Sequence, residues 1–350
     1  MNWGDICRRW GLGSERREGW WKGRWEEATG SGEEGSLFLY LGAVRARDSS
    51  LLGKEVVEHF VPRHEFLVCV DSDGCVFDTM GIKQRECFIP WTIAHFGLQP
   101  VAQAARECKE FADLFSNTRG ANRHVTLKRV LAELLPTHPS VKSRAFQVPQ
   151  LPYYFTWVEA SVGDLSHEGL KKAIAQAPNE QARREFEQVL AWSERVNWAV
   201  REIVKGVPLF PYARQSLERL AGVADVVVVS QTPVEALQRE WDKQGIRTYA
   251  ALICGQEMGT KSQVVALTAR HYSPERVLVI GDAWGDLEAA KENHVLFYPI
   301  VPGREEQSWK ELYEQGLSRF LSGTYAGAYE AEQIALLQRA LPDRPPWEAR

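Results

Sequence analysis

The chain has 350 residues, 44% of them hydrophobic and 25% charged, with a net charge of −4 and a pI of about 6.1. That length accommodates two compact domains with a sizeable core, and that charge excludes a general affinity for nucleic acid or an anionic membrane surface. No stretch reaches the ~20 apolar residues needed to span a bilayer; the nearest, SLFLYLGAV from Ser36, is too short.

Residues 1–60 read as a poorly ordered N-terminal extension. Five of the thirteen tryptophans, at positions 3, 10, 20, 21 and 25, fall in its first half without clean periodicity. Arginine mixed with tryptophan can stack on single-stranded nucleic acid. Here Glu15, Glu18, Glu26 and Glu27 nearly cancel the basic charge, so the electrostatic requirement is unmet. The basic residues are not followed by an apolar stretch, so no secretory leader is expected. The six cysteines (7, 69, 75, 87, 108 and 254) form no CxxC pair, which predicts buried thiols in a reducing, cytoplasmic setting.

Next comes FLVCVDSDGCVFDT, from Phe66 to Thr79. Phe66 to Val70 predict a buried strand, and polarity changes abruptly at Asp71, Ser72, Asp73 and Gly74. Side chains at i and i+2 of an extended segment point the same way, so Asp71 and Asp73 are expected to converge on one spot. Two such carboxylates call for a proton or a cation between them, and Mg²⁺ takes carboxylates together with phosphate oxygens. A DxDG stretch alone is equally a solvated turn. An EF-hand loop fails on spacing, since Cys75 stands where an oxygen ligand belongs.

From Gly81 to about Val207 the pattern is helical: Ile82 to Phe96, Val101 to Phe115, Val125 to Leu135 and Asn179 to Val204, with PQLPYYFTW as a connection near residues 149–157. Strands and helices then alternate. Strands are predicted at Asp225–Ser230, Tyr249–Cys254, Val277–Asp282 and His294–Ile300, with helices at Tyr212–Ala221, Pro233–Gln244, Ser262–Arg270 and Asp286–Asn293. Alternation of this kind predicts a doubly wound parallel sheet whose ligands gather at the carboxyl ends of its strands. Amphipathic helices near Glu305–Leu321 and Tyr325–Leu341 are expected to cover a sheet face or edge.

Each strand end offers a residue suited to phosphoryl chemistry. Ser230 follows four valines, Lys261 opens an amphipathic run in GQEMGTKS, and VLVIGDAWGD ends a strand at Gly281 and Asp282 with Asp286 four residues on. Taken singly, Ser230 reads as a turn residue, Lys261 as a surface charge and Asp286 as a helix cap. Their joint order is more specific. The chain resembles the haloacid dehalogenase (HAD) superfamily of phosphohydrolases over about residues 64–300, with DSDGCVFDT, Ser230, Lys261, and Asp282 with Asp286 as its four motifs.

The resemblance implies an α/β fold: a Rossmann-like doubly wound parallel sheet of strand order 5-4-1-2-3, with an inserted α-helical (C1-type) cap. Residues 61–80 and 208–300 would form the core, 81–207 the cap, and 301–350 C-terminal helices packing on the core. It also implies an Mg²⁺-dependent phosphatase acting on a small phosphorylated metabolite. From the charge, no nucleic-acid or membrane partner is expected, and the sequence leaves monomer and homodimer open. Asp71 would be the nucleophile, forming an aspartyl-phosphate, and Asp73 the acid and base. Ser230 and Lys261 would hold the transferred group, and the metal would lie among Asp71, Asp73, Asp282 and Asp286. By the same resemblance, the aspartate at position 73 would favour phosphate esters over haloacids and phosphonates. A phosphosugar mutase of the same superfamily, and a binding protein that has lost turnover, stay open as alternatives. Gln231 after Ser230, and the lack of the usual proline-containing sequence after Lys261, leave the subfamily and substrate open.

For substrate contacts, Arg119 and Arg123 are four apart and would share a face if helical, where guanidinium groups suit anions. A solvated helix end explains them as well, and Lys83 and Arg85 share the ambiguity. Tyr153, Tyr154 and Trp157 are expected to pack.

Overall fold

The computed structural model describes residues 49–161 and 164–348. Strands are numbered β1 to β5 and the longer helices α1 to α10 in chain order. Most of the tryptophan-rich extension, up to residue 48, lies outside the described residues. The end of that predicted segment is structured instead. Helix α1 (Ser49–Glu58) leads Val57 and Phe60 into a core that also holds Leu67, Cys69 and Phe297. Val57 and Phe60 sit there because burial removes their apolar side chains from water.

Strands β1 (Phe66–Val70), β2 (Ala224–Val229), β3 (Leu252–Cys254), β4 (Val277–Gly281) and β5 (Leu296–Pro299) form one parallel sheet in the order β3-β2-β1-β4-β5. Their near-continuous apolar runs follow from burial on both faces. Val68, Val70, Val226, Val228 and Ile280 enter one core, while Leu67, Cys69, Val227, Val229 and Val279 enter the other. Strand β3 is shorter than its sequence suggests, since Arg247–Tyr249 forms a 3₁₀ turn before it. The described cysteines are unpaired and buried.

Between β1 and β2 the chain is helical. A run from Thr79–Ile82 passes through a π turn (Lys83–Phe88) into Ile89–His95. It is followed by α2 (Ala102–Leu114), a short helix Arg123–Lys128, α3 (Pro152–Ala160), α4 (His167–Ala175) and α5 (Glu180–Ile203). This insertion has its own apolar core, which includes Leu131, Tyr154 and Trp192. The segment PQLPYYFTW, read as a connection, forms most of α3. Pro152 occupies the helix start, where its missing N–H costs nothing, and Tyr154 and Val158 bury on one face. Tyr154 and Trp157 pack around the buried His124, with ring centroids 5.9 and 5.4 Å from it.

Helices α6 (Ala213–Leu220), α7 (Val234–Lys243), α8 (Lys261–Ala269) and α9 (Trp284–Glu292) alternate with the later strands. After β5, a helical run from Glu305–Glu311 to Leu317–Leu321 precedes α10 (Ala328–Ala340). The outer edge of β5 is covered: the Phe297 N–H donates to the Glu330 carboxylate at 2.9 Å, and the Tyr325 hydroxyl donates to the Phe297 carbonyl at 2.7 Å. An edge strand dressed in this way no longer templates pairing with another chain. No helix among the described residues is long and apolar enough to cross a membrane.

Candidate active site

The central strand sets the site. Beyond β1, the Asp71 N–H donates to the Ile280 carbonyl at 2.9 Å, carrying the ladder one residue past the strand. The chain then turns at once, with the Ser72 carbonyl accepting from the Val76 and Phe77 N–H groups at 2.9 and 3.1 Å. Gly74 has φ +80°, and a Cβ there would stand 2.6 Å from Arg119 Nη2 and 2.8 Å from Asp282 Oδ2, so both conformation and space require glycine. Two fully buried indoles brace this loop from behind. Trp241 Nε1 donates to Ser72 Oγ at 3.1 Å and Trp309 Nε1 to the Cys75 carbonyl at 2.8 Å.

Asp71 at the end of β1, Asp282 at the end of β4 and Asp286 in the first turn of α9 each place a carboxylate oxygen within 4.8 Å of the others, and all are buried. Lys261, opening α8, puts Nζ 3.2 Å from Asp71 Oδ1 and 2.6 Å from Asp286 Oδ1. Asp286 Oδ2 accepts from the Asp282 and Ala283 N–H groups at 3.2 Å each. This fold-back needs Gly281, where a Cβ would collide with the Asp286 side chain. Asp282 Oδ2 accepts from Arg119 Nε at 2.6 Å and Nη2 at 2.5 Å, whereas the buried Oδ1 has no hydrogen-bond partner among the described residues.

The electrostatics follow from burial. Desolvation pushes the Asp71 carboxyl well above the usual range, Lys261 pulls it back, and Asp286, Asp282 and Asp73 push it further up. Burial would lower the Lys261 ammonium, but the Asp286, Asp71 and Asp282 charges outweigh it and raise the pKa, so this lysine stays charged.

Asp73 does not join that cluster. Its carboxylate accepts from the Thr79 hydroxyl, from Lys83 Nζ at 2.6 Å and from Thr232 Oγ1 at 2.6 Å. The expected i, i+2 convergence needs an extended backbone, and the chain is already turning at Ser72. Burial alone would raise the Asp73 carboxyl; the Lys83 charge and the three donors overcome this and hold it below its ordinary value.

Ser230 is buried at the end of β2. Its N–H donates to the Cys254 carbonyl at 3.0 Å, and its Oγ accepts from the Thr232 N–H at 3.2 Å, leaving the hydroxyl proton uncommitted in these contacts. Arg119 and Arg123 do not share a helix face, because Arg119 precedes the helix that Arg123 begins. Arg119 is spent on Asp282, while Arg123 Nη1 donates to Ser193 Oγ at 3.0 Å and Asn197 Oδ1 at 2.7 Å within the insertion. Arg85 pairs with Glu110 at 3.0 Å. Sequence reasoning missed Thr79, Thr232 and Arg119 as partners of the acids. Thr232, two residues past Ser230, was the most accessible of these signals.

The family model for haloacid dehalogenase-like hydrolases matches residues 67–294, well over half of the chain. The chain belongs to the haloacid dehalogenase-like hydrolases. The matched span of this HAD-like hydrolase starts within β1, ends just beyond α9 and includes Asp71, Asp73, Ser230, Lys261, Asp282 and Asp286. No curated protein matches it. Similar solved structures include a haloacid dehalogenase-like family hydrolase from Streptococcus pneumoniae, 15% identical, covering 70% of this chain and 90% of that one at a TM-score of 0.37. A HAD-superfamily hydrolase of subfamily IA from Geobacter sulfurreducens is 13% identical, with 69% and 91% covered and a TM-score of 0.36. A predicted phosphoglycolate phosphatase from Haemophilus somnus is 15% identical, with 68% and 86% covered and a TM-score of 0.40.

Proposed function

We propose that this HAD-like hydrolase is an Mg²⁺-dependent phosphomonoester hydrolase acting through an aspartyl-phosphate on Asp71. The observation that carries the reading is a buried cluster of three carboxylates in which Asp71 faces Lys261 and Asp282 Oδ1 lacks a partner. The donor set fits a hard divalent cation: it is all oxygen, it has one buried acceptor to spare, and its three carboxylates outnumber the two cations, Lys261 and Arg119, that face them. Asp71, Asp282 and the Asp73 backbone carbonyl would hold Mg²⁺, with Asp286 bracing them, and the ion would neutralise charge on the transferred group.

An Asp71 oxygen attacks phosphorus and the bond to the leaving oxygen breaks, dividing one difficult displacement into two. Lys261 fixes Asp71 and faces the incoming phosphoryl oxygens, and the Ser230 hydroxyl donates to another of them. Water then attacks phosphorus, its proton passes to Asp73, and Asp71 is released. The lowered pKa keeps Asp73 ionised and so able to accept this proton, while making it a weak base. Protonating the leaving oxygen requires Asp73 first to gain a proton, which loosening its Lys83 contact on substrate binding would allow.

The helical insertion is proposed as the cap that selects the substrate. A cleft of about 620 Å³ lies between its Asn122, Arg123, His167 and Asn197 and Gln256 after β3. The unpaired thiols among the described residues support a reducing, cytoplasmic setting.

The test is phosphate release from a panel of phosphorylated metabolites with Mg²⁺, alongside Asp71→Asn. Release abolished by the substitution supports the phosphatase reading. Release from no member, with a folded protein, rejects it.

A further inference from the structure

The C-terminal segment beyond α10 ties the sheet to the acidic cluster through the insertion. Leu337 and Leu341 are buried in the sheet's core, and the very next residues touch the insertion. The Pro342 carbonyl accepts from the Asn117 N–H at 3.2 Å. Asp343 Oδ1 accepts from Asn117 Nδ2 at 2.8 Å, and its carbonyl accepts from Arg129 Nη2 at 2.5 Å. Trp347 then packs against His138 and Phe111, at centroid distances of 4.9 and 5.7 Å.

Arg129 works on both sides. While Nη2 binds the tail, Nη1 donates to Ser116 Oγ, Asn117 Oδ1 and Thr118 Oγ1 at 3.1, 2.7 and 2.8 Å, and the guanidinium lies 5.3 Å from the Phe111 ring centroid. Its planar fork lets one side chain order two segments at once. Arg119 emerges from the turn thus fixed, its N–H donating to the Ser116 carbonyl at 2.9 Å, and reaches Asp282 Oδ2. The inner side of the turn is anchored to α2, where Ser116 Oγ and Thr118 Oγ1 donate to the Ala112 carbonyl at 3.1 and 2.8 Å. Its outer side depends on the tail and Arg129.

We propose that residues 342–348 are a positioning strap for the catalytic centre: by fixing the 116–118 turn they hold Arg119 on one oxygen of Asp282, so that the other faces the site. Ordering a long arginine side chain costs conformational entropy, and a turn fixed in advance confines that cost to the side chain. The consequence for turnover rests on the phosphatase reading above; the positioning itself does not.

The test uses full-length protein and two readouts, amide hydrogen exchange and hydrolysis of 4-nitrophenyl phosphate with Mg²⁺. In Asp343→Ala/Trp347→Ala, exchange over residues 114–121 should rise about tenfold while peptides from β1 and β4 stay protected. The kcat/KM should fall about tenfold, and Asp343→Asn alone, which keeps the acceptor oxygen, should stay near the parent value. Because the strap acts through Arg119, adding its two substitutions to Arg119→Ala should cost nothing further. Additive losses, or unchanged exchange over 114–121, would overturn the proposal. Should the double variant fail to fold, Asp343→Ala, which removes only the exposed side-chain contacts to Asn117 and Arg129, should show both changes to a smaller degree, and no rise in exchange over 114–121 would overturn the proposal. A parent that hydrolyses no phosphoester would sink the phosphatase reading, and the exchange result would still decide the strap.

Discussion

Asp71 and Asp73 stand two residues apart and are driven in opposite directions by their surroundings. Asp71 binds its proton more tightly when folded, so its contribution to stability is present below the unfolded carboxyl value and is lost as pH rises through the raised folded value. A divalent cation favours the ionised form. The rise in Tm produced by Mg²⁺ should therefore be larger at about pH 8 than at about pH 5, as thermal melts would show. Asp73 is the opposite case: its contribution is present above the unfolded value and is lost as pH falls through the depressed folded one. Thr232→Val removes one of its donors at 2.6 Å, so the acid limb of the pH–rate profile should move to higher pH while the fold is kept. Lys261→Met leaves Asp71 and Asp286 buried without their cation. Urea unfolding should show a loss of about 3–5 kcal/mol without Mg²⁺, partly restored when it is added.

At the scale of elements, the turn after β1 decides what the strand can present. Gly74→Ala must hold a Cβ at φ +80°, and that Cβ would stand 2.6 Å from the Arg119 guanidinium that caps Asp282. Stability should fall by about 1–3 kcal/mol by denaturant titration, and turnover by more than that loss explains, because the strain falls on Arg119. The first turn of α9 shows the same economy. Gly281 makes room for Asp286 to fold back onto the N–H groups of Asp282 and Ala283 and to meet Lys261 from α8. Asp286 is thus both a helix-start acceptor and a brace for the site.

For the molecule as a whole, the distant C-terminal segment supports the catalytic loop. Trp309 is fully buried and its indole N–H holds the Cys75 carbonyl. Trp309→Ala should cost about 3–5 kcal/mol through the cavity it leaves. Trp309→Phe, which keeps much of the packing but orphans a buried carbonyl, should cost about 1–3 kcal/mol, with an increase in amide exchange at residues 72–77.

The residues alone determined the parallel sheet and the strand ends that carry Asp71, Ser230, Lys261 and Asp282. A strand buried on both faces must be continuously apolar, and the abrupt change to polar residues marks where it stops. They also marked much of the helical insertion by its three-to-four spacing, although α3 was hidden behind prolines that start a helix as readily as they end one. Only the tertiary structure decided which charges meet. Arg119 and Asp282 are 163 positions apart and Thr232 and Asp73 are 159 apart, and no local pattern records either pairing. Ion pairs and hydrogen bonds depend on distances of a few ångströms between elements, which are set by packing, whereas strand and helix signals depend on periodicity along the chain. The sequence therefore named the acids, and packing separated the one facing Lys261 from the one held by Lys83, Thr79 and Thr232.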